Sequence, residues 1–336
     1  MYKSEPSTAF PASSPCLGGG RMATMEVGVG VDVSKDTLEV ATSDVSVAGS
    51  YANTVEGLAD PVGALAGVAV HRVVLEASGG YERLALTALH AAGLPVVLVE
   101  PVRARHFARG LGKRAKTDAI DAAVLARLAE VAVSDNPLWE PLEDEVADLG
   151  SVLERRRQLL VLRDAEMKRR RLVRDIVRPQ LDESIADLTK KVAALDQLAN
   201  ELIARSTRLQ ARVAVLESVD GVGRVTAASL VHLVPELGRL TRGAIAALVG
   251  VAPMNRDSGM WSGQRYIRGG REAPRAVLYM AALAATRWNP VIRARSLHLV
   301  DQGKKPKVAL VACMRKLLIH LNALVRHHLA GLAPAI

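Results

Sequence analysis

The sequence reads as an α/β domain followed by a region that is almost entirely helical. Short apolar runs of period two alternate with helical patterns near the N-terminus, and two of these runs end in an acid, Asp32 and Glu76. Glycine is then absent between Gly150 and Gly221, and an apolar 4-3 spacing sets in there and is sustained over five heptads. Charge divides along the same line. Met22–Asp135 holds 10 Lys and Arg against 14 Asp and Glu, whereas Val251–Ile336 holds 14 against 3.

Taken in order, the first 24 residues are rich in Ser, Pro and Gly and lack the apolar core of a signal peptide. They read as a disordered lead ahead of a start at Met22 or Met25. In VGVGVDVSKDTLEVA, Val27, Val29, Val31 and Val33 alternate with small or polar residues. Ser34-Lys35-Asp36 then supplies a turn, and Thr37–Val40 resumes an extended pattern. Asp32 falls on the face opposite the valines. Val45–Ser50 is expected as a third strand, Val55–Ala66 as a helix, His71–Ala77 as a strand ending near Glu76, and Tyr81–Ala92 as a helix after Ser78-Gly79-Gly80. Leu94–Glu100 is the next strand, and Pro101 opens a helix. The basic loop Gly110–Lys116, with Lys113, Arg114 and Lys116, leads into a helix from Thr117 to about Val133. Sites in such domains lie at strand ends.

Thr117 is a plausible N-cap, and Asp118 and Asp121 share one face of the first helical turn. Acids in a first turn are ordinary partners of the helix dipole. The set of four, Asp32, Glu76, Asp118 and Asp121, gains meaning because it converges in one compact fold, where it could hold two Mg²⁺ ions for phosphodiester cleavage.

From Leu181 the seam positions read Leu, Ile, Leu, Val, Leu, Ala, Leu, Ser, Leu, Val, Leu up to Leu216. One helix through them would run roughly 50 Å and needs a partner. Arg178-Pro179 is where a preceding helix should break. Two long antiparallel helices are expected, serving as a dimerisation element or as an intramolecular spacer. Leu216–Val234 then reads as a helix, a Gly-Val-Gly turn and a helix. It is similar to a helix-hairpin-helix element, in which Gly221, Gly223 and Arg224 would meet a DNA phosphate, and its plain alternative is an ordinary helix–helix turn.

Gly250–Arg275 has neither helical nor alternating period and sets Ser258 and Ser262 among Arg256, Arg265, Arg268, Arg271 and Arg275. Serines beside glycines are commonly turn formers. A hydroxyl among guanidinium groups is also a candidate nucleophile toward a phosphodiester, because the cations stabilise its alkoxide and bind the phosphate. Helices are expected from Ala276 to about Arg287 and from Lys307 to His328, with Lys304 and Lys305 as further phosphate contacts. The basic C-terminal part would hold a polyanion. Only Cys16 and Cys313 occur, which argues against a disulfide framework or a cysteine zinc site, and no run reaches about 18 apolar residues.

These motifs resemble the IS110 family of bacterial insertion-sequence transposases, DEDD enzymes that act as bridge-RNA-guided recombinases. The resemblance covers nearly everything from Met25 to about His328. GVDVSKDTLEVA, LEASGGYE and KTDAIDAAVLA look like the RuvC-like (RNase H fold) domain of that family, while GVGRVTAASLV, GVAP, DSG and IRGGR look like its C-terminal transposase domain. It implies a RuvC-like DEDD domain over residues 25–135, a coiled coil over 142–215 and a mostly helical transposase domain over 216–330. It further implies that Asp32, Glu76, Asp118 and Asp121 bind Mg²⁺ (or Mn²⁺) and that Ser258, with Ser262 as the second choice, forms a covalent phosphoserine intermediate on DNA. Donor and target DNA, a non-coding bridge RNA, a homodimer that becomes a tetramer on DNA, and work at the nucleoid of a bacterial cytoplasm, with no membrane, follow from the same likeness.

Rival readings are a RuvC-like structure-selective nuclease in which water attacks, an actin-like ATPase or sugar kinase, and a non-catalytic nucleic-acid scaffold. The nuclease leaves the heptads and the serine loop unexplained. The kinase needs a second phosphate-binding turn that is not found, and the scaffold has no use for four acids.

Overall fold

A computed structural model describes residues 26–112, 117–131, 136–255, 257–258, 261–263 and 265–331, with Asp257, Ser258, Trp261 and Ser262 described by backbone alone. The expected disordered lead, Lys113, Arg114, Lys116 and Arg256 lie outside the described residues. The chain divides into two compact units, Met1–Trp139 and Glu140–Ile336.

The first unit is a five-stranded sheet of order β3-β2-β1-β4-β5, built from β1 Val27–Val33, β2 Thr37–Thr42, β3 Ala48–Ala52, β4 Val70–Glu76 and β5 Val96–Val99. The hairpin partners β2 and β3 run antiparallel, while β4 and β5 run parallel to β1. This mixed sheet with helices fits the RuvC-like expectation. One face carries Val29, Val31, Val33, Leu38, Val40, Val73 and Leu75 into a core with helices α1 Ala59–Leu65 and α2 Arg83–Ala91. On the other face Val74, Val97 and Val99 pack on α3 Pro101–Gly110 and α4 Asp118–Val131.

Two elements begin later than expected. β3 starts at Ala48 rather than Val45, because Asp44 accepts hydrogen bonds from the Ser46 N–H and hydroxyl and closes a turn in which Val45 has φ 64°. α1 starts at Ala59, since the Thr54 hydroxyl accepts from the Gly57 N–H and holds a turn ahead of it.

The second unit is helical, with α5 Asp144–Arg170, α6 Arg178–Arg205, α7 Thr207–Glu217, α8 Arg224–Leu233, α9 Arg242–Val249, α10 Glu272–Trp288, α11 Pro290–Asp301 and α12 Pro306–Leu329. The pairs Arg156–Asp196 and Arg170–Asp182 make α5 and α6 antiparallel. Pro179 stands in the first turn of α6, so the expected break at Arg178-Pro179 is a helix start. The long seam helix is corrected to two. Ser206 leaves helical backbone at φ −113° and ψ 109°, and its hydroxyl accepts the Leu209 N–H at 3.4 Å. A serine in the seam offers no apolar knob and is a good N-cap, so the helix breaks there.

A single core joins Val146, Leu149 and Leu153 of α5 with Leu216, Leu230, Leu278, Leu317 and Leu321. The 24-residue α12 is long and apolar enough by composition to cross a membrane. Its Leu317, Leu318 and Leu321 are fully buried in this core, which accounts for the hydropathy without a bilayer. Helix α11 lies outside the elements expected from the sequence, although Asn289-Pro290 is its start signal: the Asn289 side chain accepts the Ile292 N–H at 3.1 Å.

Candidate active site

Strand β1 shows two chemistries on its two faces. Its valines enter the core beneath α1 and α2, while Gly28 and Gly30 lie against α4, and strand alternation puts Asp32 on the face of these glycines. A Cβ on Gly30 would overlap the Ala122 carbonyl and the Ala126 nitrogen and stand 2.8 Å from the Leu125 carbonyl carbon. One on Gly28 would overlap the Ala126 carbonyl and come within 2.9 Å of the Ala129 Cβ. Two strand residues therefore correspond to one turn of α4, counted backward. Continued one step further, the same register would set Asp32 toward the first turn, which carries Asp118 and Asp121. The Thr117 hydroxyl accepts the Ile120 N–H at 3.3 Å and fixes where that turn begins.

Glu76 is set by register. Val31 pairs with Leu75 in the parallel ladder, so Asp32 and Glu76 are neighbours at the carboxyl ends of β1 and β4. Val74 packs against α4, and Glu76, two residues on, shares its face. The loop that follows is tied down by Glu82, which is buried. Its Oε2 accepts from the Ser78 N–H at 3.1 Å, the Ser78 hydroxyl at 2.9 Å and the Gly80 N–H at 2.8 Å. Gly79 and Gly80 adopt φ 79° and 113° there, backbone that a side chain would resist.

A further acid joins this face. Glu39 pairs directly with Asp32 across the hairpin, and Leu38 and Val40 on either side of it enter the opposite core. The sequence held the signal, since a short turn at Ser34-Lys35-Asp36 fixes the register that puts Glu39 across from Asp32.

All these donors are carboxylate oxygens, the set preferred by a hard divalent cation rather than by zinc or copper. Among the described residues, no three His, Cys, Asp or Glu side chains are gathered into a ligand cluster as they stand. Backbone placement brings the acids to one end of one sheet face, and side-chain rotation is left to complete any ligation.

Ser258 belongs to the second unit, in a nested pair of small hairpins that the sequence reading treated as irregular. β6 Pro253–Met254 pairs with β9 Tyr266–Ile267, and within it β7 Asp257–Ser258 pairs with β8 Trp261–Ser262, Ser258 opposite Trp261. The base of this excursion is clamped. Gly250 caps α9 at φ 75°, and a Cβ on it would overlap the Gly269 carbonyl, as one on Gly270 would overlap Gly250. The Arg271 N–H donates to the Leu248 carbonyl at 2.8 Å. Its guanidinium forks onto Glu236 at 2.9 and 2.6 Å and reaches the Leu233 carbonyl at 3.3 Å. Arg275 donates to the Gly269 carbonyl.

The basic candidates thus fall into two groups. Arg271 and Arg275 are engaged in holding the loop, and Arg224 donates to Asn200 at 2.6 Å and lies 3.5 Å from Glu217. Arg265, Lys304 and Lys305 are exposed, and so is Arg268, which has an interaction partner of its own. Gly221, at φ 96°, lies against α10, where its Cβ would meet the Ala285 backbone at 2.5 Å, so close helix packing explains it. Gly223 is open and stands at the N-cap of α8.

Comparison with known proteins bears on both units. A family model for the DEDD domain of IS110 elements, described as a transposase, matches residues 29–175. A second, described as the transposase IS116/IS110/IS902 family, matches residues 213–297. Together they cover more than half of the chain. Pilin gene-inverting proteins of Moraxella lacunata and Moraxella bovis are each 29% identical to it, over 266 and 268 residues, covering 76% of this chain and 80% of the relative in both cases.

Proposed function

This chain belongs to the IS110 family of transposases and is a DNA recombinase, and from that premise we propose that it cuts and rejoins DNA through Ser258, with Asp32, Glu76, Asp118 and Asp121 as the metal-binding acids. The observation that carries this reading is the slot that Gly28 and Gly30 open for α4, which aligns Asp32 with the turn bearing Asp118 and Asp121 while β4 adds Glu76. DEDD transposases generally depend on a divalent metal. These carboxylates would hold Mg²⁺ or Mn²⁺, which would supply charge neutralisation at the phosphate and a more acidic attacking hydroxyl.

The Ser258 hydroxyl attacks phosphorus, so that an O–P bond forms, a P–O bond to one sugar breaks, and the serine proton passes to the departing sugar oxygen through water. Attack by a sugar hydroxyl on the phosphoserine reverses the step and rejoins DNA with no phosphodiester lost. Rejoining is supported by the Moraxella relatives, named for inverting a gene, because inversion leaves the DNA continuous.

Residues 25–135 act as the carboxylate domain, 142–215 as the coiled coil that joins copies into dimers and a tetramer on DNA, and 216–330 as the serine domain. Exposed Arg265, Arg268, Lys304 and Lys305 hold nucleic-acid backbone, Gly223 opens the α8 N-terminus to a phosphate, and Lys113, Arg114, Lys116 and Arg256 add charge. A non-coding RNA from the element guides target choice, a role supported by family likeness and by the basic C-terminal part. The enzyme works in the cytoplasm of a bacterium, on the nucleoid.

A denaturing gel tests this reading. Purified protein, Mg²⁺, DNA spanning the element junction and RNA transcribed from its flanks should give a covalent protein–DNA adduct that Ser258→Ala and Asp32→Asn both lose. Cleaved DNA with no adduct, unchanged by Ser258→Ala, would replace the serine by water and make the chain a hydrolytic nuclease.

A further inference from the structure

At the junction of α10 and α11 the C-terminal unit carries a surface of which the mechanism above uses Lys304 and Lys305 alone. Trp288, the last residue of α10, is 74% exposed, the most exposed of the described large aromatics. It is not a frayed end. The Asn289 N–H donates to the Ala285 carbonyl at 2.9 Å, while the Asn289 side chain caps α11, so two helices fix the backbone on either side of the indole. Helix α11 is attached by a thin edge, with Ile292 as its buried residue. Val291 and Leu297 are exposed beside it.

The charge along the segment that carries the indole is one-sided. Arg287, Arg293, Arg295, Lys304, Lys305 and Lys307 face a single acid, Asp301, between positions 287 and 307. Elsewhere in the same unit cations are spent on the protein: Arg271 on Glu236, Arg239 on Glu140 at 3.0 Å, and Arg326 on the Gly238 and Leu240 carbonyls. Among the described residues, none of the six takes part in an ion pair. Concentrated, unneutralised charge disfavours a second copy of this face and favours a polyanion. An exposed indole adds what a polyanion alone does not need, a flat apolar face for stacking. In a duplex the base faces are covered by their neighbours, so an indole selects unpaired bases.

We propose that Trp288, with Arg287, Arg293 and Arg295, forms a stacking platform for an unpaired DNA strand. The bases rest on the indole and the phosphates on the guanidinium groups, with Lys304, Lys305 and Lys307 extending the track. This assignment rests on the reading that the chain opens DNA, since an enzyme that breaks and rejoins strands must hold free ends. The platform keeps a displaced strand on the protein while its new partner is found.

Fluorescence anisotropy of the full chain in EDTA, with a labelled oligothymidine and a duplex of equal length, tests it without any chemistry. Trp288→Ala should weaken oligothymidine binding roughly 5- to 150-fold, the range expected for one stacked base. It should leave duplex affinity within about twofold, because duplex binding is a phosphate interaction that a neutral side chain does not carry. Trp288→Phe should restore most of the loss, and Arg293→Ala with Arg295→Ala should flatten the salt dependence. Equal loss on both DNAs, or loss on neither, overturns the platform. Tighter, Trp288-dependent binding of oligouridine overturns the choice of DNA. A parent that forms no adduct yet shows Trp288-dependent binding sinks the serine mechanism and leaves the platform standing.

Discussion

The carboxylates and the serine are held in unlike ways. Asp32 and Glu76 ride on neighbouring strands, and Asp118 and Asp121 on a helix whose distance from the sheet is set by two absent side chains, at Gly28 and Gly30. Ser258 rides on paired two-residue strands, anchored at the base by a glycine contact and by Arg271 on Glu236. The first arrangement is made of main chain and packing and fails as a whole. The second is made of side-chain clamps that can be loosened one at a time.

The largest expected effect is on the first arrangement. Gly30→Val puts branched carbon into the α4 backbone, and overpacking against main chain should cost about 3 kcal/mol or more. Urea unfolding should show a much lower midpoint, and a shift under about 1 kcal/mol would mean that α4 does not need the slot. Arg271→Ala is next. Breaking a partly buried charged fork should cost about 1–3 kcal/mol and open the 250–275 loop to limited proteolysis. Because Glu236 is the partner, Glu236→Ala in the Arg271→Ala background should add little, and full additivity would separate the two residues. Thr117→Ala is the smallest, about 1 kcal/mol for a lost cap. It should fray the first turn of α4 and raise the Mg²⁺ concentration needed for half-maximal adduct. An unchanged Mg²⁺ requirement would detach that turn from the metal.

The parts legible in the sequence were those governed by local pattern. Valine alternation placed β1, and Asp32 on its reverse face, while the spacing of Asp118 and Asp121 behind Thr117 placed a helix turn. Long-range packing was not legible. Nothing local says that Gly28 and Gly30 exist to admit α4, that Glu82 ties the loop after Glu76, or that Arg271 serves Glu236 before any phosphate. The seam misled for a physical reason. Apolar period survives a break, because Ser206 keeps the spacing while its hydroxyl ends one helix and caps the next. The small hairpins around Ser258 are too short to show alternation, having two residues per strand.

The slot beneath α4 also bears on how copies of such an element decay. Every single-base change at the first or second position of a glycine codon creates either a stop or a residue with a Cβ, and at Gly30 any Cβ meets the α4 main chain. Genomes carrying this element should therefore accumulate copies whose acids and serine are all spelled correctly and which are nonetheless dead. In a survey of such copies, the spelling of positions 28 and 30 would have to be read beside the spelling of the catalytic residues to count the living.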